Sequence, residues 1–147
     1  MALLPVARPV SLTEPILVRP PHGKDQNYVT STWVNSLVCE KEWTRRDCRN
    51  VVDDLLERKD TRLRLAAIQS DPNSIVGWIA YVEKPAVLHY VYVRNRYRGH
   101  GVGRMLVDAA GLLKPPALVY TLRGPSWKQV IDKHPNLVHI NVREFIL

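Results

Sequence analysis

Cysteine is scarce in this chain: only Cys39 and Cys48 occur in 147 residues, and no His/Cys cluster has the spacing of a zinc site. A cysteine-stapled scaffold and a zinc-held fold are therefore not expected. Both cysteines sit in helical patterns and are expected to be inert thiols in a reducing compartment, which points to a cytoplasmic location. Long hydrophobic runs are missing too. Met1 to Val10 is apolar but is broken by Pro5 and Pro9 and lacks a basic leading region, so neither export nor membrane association is expected. There is no internal repeat and no low-complexity block.

Acidic residues are outnumbered, 14 against 21 basic ones, which gives a formal net charge of +7 and a pI near 9.7. A basic surface attracts phosphate and carboxylate at long range. The positive side chains gather at Arg45, Arg46 and Arg49 and again from Arg94 to Arg104. They form no run interleaved with aromatics and no nucleic-acid-binding module, so nucleic acid is only a minor alternative partner. A chain of 147 residues with 46% hydrophobic content can bury one continuous core without metal or disulfide help. Residues 1–14 carry too many prolines for a regular element and are expected to form an extended arm, leaving 15–147 as a single domain.

Periodicity organises that domain. Ile16 to Arg19 can form a first strand, and Tyr28 to Glu40 a helix with Val29, Trp33 and Leu37 on one face. Thr44-Arg45-Arg46-Asp47 resembles a capping box, after which Cys48, Val51, Val52, Leu55 and Leu56 follow the spacing of a buried helical stripe. Arg62 to Gln69 and Ile75 to Glu83 read as an antiparallel pair joined by a turn at Ser70-Asp71-Pro72-Asn73, and Ala86 to Val93 as an apolar strand. A helix beginning at Val102 carries Met105, Leu106, Ala109, Ala110 and Leu113 at helical spacing and ends at Pro115-Pro116. Ala117 to Thr121 is a short strand, Ser126 to Lys133 a short helix, and Leu137 to Val142 a last strand. The expected order is β-α-α-β-β-β-α-β-α-β, an α/β (α+β) chain with an abbreviated C-terminus.

Between the apolar strand and the helix at Val102 lies Arg98-Gly99-His100-Gly101-Val102-Gly103. Glycines at every second position leave backbone N–H groups unshielded, and the helix that starts there adds its own unpaired donors and about half a positive charge. The segment reads as an anion cradle suited to a diphosphate. It is not a dinucleotide fingerprint, because counting from Gly99 the last required glycine falls on Arg104. Nor is it a nucleotide-hydrolysing loop, because Gly103-Arg104-Met105 stands where Gly-Lys-Ser/Thr is needed.

Taken whole, VLHYVYVRNRYRGHGVGRMLVDAAG, Val87 to Gly111, resembles the acetyl-CoA-binding core of the GCN5-related N-acetyltransferases (GNAT), with its strand, short basic loop, R/Q-x-x-G-x-G/A signature and helix. The string VLHYVYV is also similar to small acetyltransferase-like proteins of bacteriophages. The resemblance implies a mixed, mostly antiparallel sheet with helices on both faces. It implies acetyl-CoA as cofactor, with its diphosphate on Arg98, Gly99, His100, Gly101, Val102, Gly103 and Arg104 and its pantetheine arm on Val91, Tyr92 and Val93. The implied partner is an amine acceptor, small molecule or protein. No metal is implied.

The catalytic half of the signature is less complete. Histone-modifying members place a basic glutamate early in the strand before the cradle, and the corresponding position here is Val87. His89, two residues on and expected on the same strand face, is a candidate base as an imidazole titrating near neutrality. Glu83 is a second candidate base. Many members carry a thiolate-protonating tyrosine in the helix after the fifth strand; Ser126 to His134 lacks one, and Tyr120 is the candidate phenol instead. Ser126 can contact the thiol or pantetheine as well as cap its helix. Direct attack on the thioester would place the developing oxyanion on a strand amide, for which Val91 is the natural donor. The missing Val87 carboxylate and helix tyrosine leave one alternative from a different class: an acetyltransferase-fold protein, weak or inactive in catalysis, that works by binding a macromolecule.

Overall fold

The computed structural model describes residues 14–37, 43–84, 86–112, 118–121 and 137–139. In chain order the elements are β1 (Ile16–Arg19), α1 (Asp25–Ser36), α2 (Arg45–Glu57), β2 (Arg62–Ile68), β3 (Asp71–Val82), β4 (Val87–Val93), a single 3-10 turn (Asn95–Tyr97), α3 (Val102–Ala109), β5 (Leu118–Tyr120) and β6 (Leu137–His139). The expected arm at 1–14, save Glu14, and the expected helix from Ser126 to Lys133 lie outside the described residues. No helix among those described is long and apolar enough to cross a membrane.

The six strands lie side by side in sequence order. The pairs β1–β2, β2–β3 and β3–β4 are antiparallel, whereas β4–β5 and β5–β6 are parallel. Two cores form because the middle strands are apolar on both faces. On one face Val29, Trp33, Val34 and Leu37, together with Cys48, Val51, Val52 and Leu55, pack on Leu65, Trp78, Ala80 and Tyr90. On the other, Val102, Leu106 and Leu112 pack on Ala66, Val76, Ile79, Tyr81 and Leu88. Helices α1 and α2 thus cover one side of the sheet and α3 the other.

The local signals act as their chemistry predicts at α2. Thr44 Oγ1 accepts from Asp47 N at 3.1 Å while Asp47 Oδ2 accepts from Thr44 N at 2.8 Å, the reciprocal capping box. Helix α1 starts three residues before Tyr28, because Asp25 organises its first turn. The Asp25 carboxylate accepts from His22 N at 2.9 Å and pairs with Arg19 at 2.7 Å, and the Arg19 hydrogen bond holds its carboxyl below the usual range. Arg19 also donates to Pro72 O, at 2.9 Å through Nη2, and so ties α1 to the start of β3. Cys48 corrects the expectation of two inert thiols: it is buried and disulfide-bonded. The only other cysteine in the sequence, Cys39, lies outside the described residues. A disulfide removes the stated ground for a reducing compartment.

Candidate functional site

Burial along β4 divides it in two. Val87 to Tyr90 are buried, whereas Val91, Tyr92 and Val93 are half-open. Arg94 N donates to Val76 O at 2.8 Å, and Tyr92 stands opposite Trp78. Because the groups of an antiparallel strand alternate between its two neighbours, the main-chain N–H and C=O of Val91 and Val93 point away from β3. Val93 O accordingly accepts from Arg98 Nε at 2.9 Å. On that side β5 runs beside β4 only at its start, where Val87 faces Val119 and Leu88 faces Tyr120. The last bond between them among the described residues is Thr121 N to Leu88 O, at 3.1 Å. Among the described residues no strand pairs with the far end of β4 on that side.

The loop that follows is built by backbone geometry. Tyr97 N bonds Arg94 O at 2.8 Å, closing the 3-10 turn, and the chain then passes through left-handed conformations at Gly99 (φ 82°) and Gly101 (φ 83°) before α3 begins. A residue with a Cβ is strained at such φ values, so glycine is demanded there by conformation. A Cβ at either position would meet nothing within 4 Å, so the surface there is open. Gly103 lies in the first turn of α3, where a Cβ would make only ordinary contacts, 3.8 Å from Val91 Cγ1 and Val93 Cγ2. Packing therefore does not require this glycine, although alanine would favour the helix by about 1 kcal/mol.

The first helical bond of α3 is Met105 N to Gly101 O at 3.0 Å, which leaves the N–H groups of Val102, Gly103 and Arg104 without intrahelical partners. No acidic residue stands in that first turn. Arg98 and Arg104 are exposed beside it and His100 is half-buried. Amides without intrahelical partners, a helix N-terminus and nearby cations together have the chemistry that attracts an anion.

The proposed catalytic side chains fall in different places. His89 is fully buried, and Ala80 faces Tyr90 while Tyr81 faces Leu88, so His89 is the extra residue of a bulge in β4. Burial lowers its pKa to about 4, with Asp60 opposing and Arg58 adding to the shift, so the expectation of an imidazole titrating near neutrality is corrected. Its Nδ1 is hydrogen-bonded to Thr121 Oγ1 at 2.8 Å. Glu83 sits past the end of β3, more than half exposed and 3.4 Å from Arg62 Nε, at the opposite end of β4 from the glycine loop. Tyr120 stands on β5 opposite Leu88, and Ser126 lies outside the described residues.

One group escaped the sequence reading. Tyr28, Thr32 and Ser36, one helical turn apart on α1, face Tyr92, Trp78 and Tyr90 on the sheet. Trp78 Nε1 donates to Thr32 Oγ1 at 2.8 Å, Ser36 Oγ and Tyr90 Oη lie 2.9 Å apart, and the Trp78 and Tyr92 rings stack at 5.9 Å. The i, i+4, i+8 spacing of small polar and aromatic residues on α1 was the available signal. Among the described residues, no three His, Cys, Asp or Glu side chains come together to hold a metal.

Comparisons with known proteins agree with this fold. Over 81% of this chain and 91% of its own length, a protein described as "Putative acetyl transferase from Pyrococcus furiosus" superimposes with a TM-score of 0.56 at 11% identity. The ribosomal-protein-alanine N-acetyltransferase of Brucella melitensis does so over 81% and 90%, with a TM-score of 0.52 at 15% identity. Glucosamine-6-phosphate N-acetyltransferase of Arabidopsis thaliana covers 82% and 90%, with a TM-score of 0.50 at 12% identity. At these identities the likeness concerns the fold. No curated protein matches the sequence. The family model described as "Acetyltransferase (GNAT) family" matches residues 30–110, more than half of the chain and including the whole of β4, the glycine loop and α3. The chain therefore belongs to the GNAT acetyltransferase family.

Proposed function

We propose that this protein is an N-acetyltransferase that moves an acetyl group from acetyl-CoA to a primary amine by direct attack. The observation that carries the reading is the junction of an open strand end with a left-handed glycine loop and an uncapped helix start. The donors on Val102, Gly103 and Arg104 and the cations of Arg98 and Arg104 suit a diphosphate. The outward groups of Val91 and Val93 suit the amides of a pantetheine arm. Open space at the Cβ positions of Gly99 and Gly101 supports the fit. Acetyl-CoA supplies an activated thioester when bound.

The chain's own residues then have limited work. Val91 N–H, aimed out of the β3–β4 ladder, meets the negative charge that develops on the thioester oxygen. His89 is given a positioning role: a neutral imidazole that ties β4 to Thr121 where the two strands part. It takes no proton from the acceptor, since a base at about 4 is mostly ineffective near neutral pH. The amine is instead taken up in its neutral form, one proton already lost to solvent; as its nitrogen bonds the acetyl carbon and the carbon–sulfur bond breaks, a second proton would pass through solvent to the departing thiolate.

The test is to incubate the full chain with acetyl-CoA and a set of primary amines and to follow free CoA thiol. Amine-dependent thiol release is expected. No release with any amine, combined with no acetyl-CoA-induced rise in melting temperature, would overturn the assignment.

A further inference from the structure

Beyond the choice of acetyl-CoA lies the question of which amine the opposite side of the cleft accepts. Past the bulge, Tyr90, Tyr92 and Arg94 occupy every second position and so share the face of the sheet that carries α1. Tyr90 is buried beneath, hydrogen-bonded to Ser36, while Tyr92, Arg94 and, across from them, Tyr28 are half-exposed. Arg94 ends the stripe, with Nη1 3.5 Å from Ile75 O. This wall is distinct from the cradle, which is built on the other face by α3.

Among the described residues the charged group that acts on Tyr28 is Arg94 and the one that acts on Tyr90 is Arg98, both cations. Three described carboxylates are committed elsewhere, Asp25 to Arg19, Asp60 to Arg58 and Glu83 to Arg62, and among the described residues none is paired with Arg94. A polyamine or other multiply charged cation entering here would meet the Arg94 guanidinium, which no described carboxylate neutralises. An amine that brings its own anion would find the Arg94 guanidinium beside the half-exposed phenols of Tyr28 and Tyr92, which are hydrogen-bonded to each other.

We propose that the acceptor is a small primary amine that also carries an anionic group, carboxylate or phosphate, held by Arg94 with Tyr28 and Tyr92. The inference rests on the acetyltransferase reading. In the test, kcat/KM is compared for butylamine, 4-aminobutyrate and 1,4-diaminobutane, and for ethanolamine and O-phosphoethanolamine, while acetyl-CoA binding is followed separately by thermal shift. At least one anionic probe is expected to exceed its neutral match by about tenfold or more, the size of one charge-assisted hydrogen bond. Which pair shows it tells carboxylate from phosphate. Arg94→Gln should collapse that ratio through KM while the acetyl-CoA shift persists. Preference for 1,4-diaminobutane, equal use of all probes, or a ratio untouched by Arg94→Gln would overturn the inference and leave the acetyltransferase reading standing. Loss of the acetyl-CoA shift in the unsubstituted protein would remove both.

Discussion

Replacing Gly101 with valine is expected to abolish the stabilisation that acetyl-CoA confers. A ligand that binds only the folded state at a hundred times its Kd stabilises by about 2.7 kcal/mol, which for a domain of this size raises Tm by about 5–10 °C. Gly101 stands at φ 83° as the residue before α3, and its missing Cβ leaves open the space an anion would approach. A β-branched side chain would both resist that φ and stand in front of the amides. Strain of about 1–3 kcal/mol would lower the Tm of the unliganded variant, so the comparison is the shift on adding ligand. A variant that folds, as judged by circular dichroism, and keeps the full shift would show that the diphosphate is held elsewhere.

The second large effect concerns acid. Burial holds the His89 imidazole at about 4 in the folded protein, against 6.5 for the unperturbed group. Between those values the unfolded chain binds a proton that the folded chain excludes. Stability is therefore at its plateau for this group above pH 6.5, falls as the pH drops, and levels off below about 4, for a loss of about 3 kcal/mol. Asp25 and Asp60, held low by Arg19 and Arg58, withdraw their support only below the ordinary carboxylate range, so the two windows separate. Urea unfolding at a series of pH values should show this fall, and His89→Gln should flatten it between pH 6.5 and 4. Equal slopes for the two proteins would show that His89 is not the group responsible.

The parts of this fold that were legible in the sequence are those set by neighbours along the chain. The Thr44–Asp47 capping box, the buried stripe of α2 and the Val102–Leu106 face of α3 depend on spacing within one helix, and they stand where spacing places them. The glycine loop was legible for the same reason, since its conformation follows from which residues lack a Cβ. The start of α1 was misplaced because Asp25 acts through Arg19, on another element. The low pKa of His89 was not legible because it comes from burial, which depends on the elements packed around β4 and not on VLHYVYV alone. The wall of Tyr28, Tyr92 and Arg94 was missed because it joins a helix to a strand more than sixty residues away in sequence. The state of Cys48 was missed because helical patterning reports burial and says nothing of pairing.

Main-chain amide exchange with and without acetyl-CoA tests the central assignment most directly. Exchange is expected to slow at Gly99 to Arg104 and at Val91 and Val93, with the outer faces of α1 and α2 unchanged. Unaltered exchange at those amides under saturating ligand, or protection confined to another part of the sheet, would contradict it.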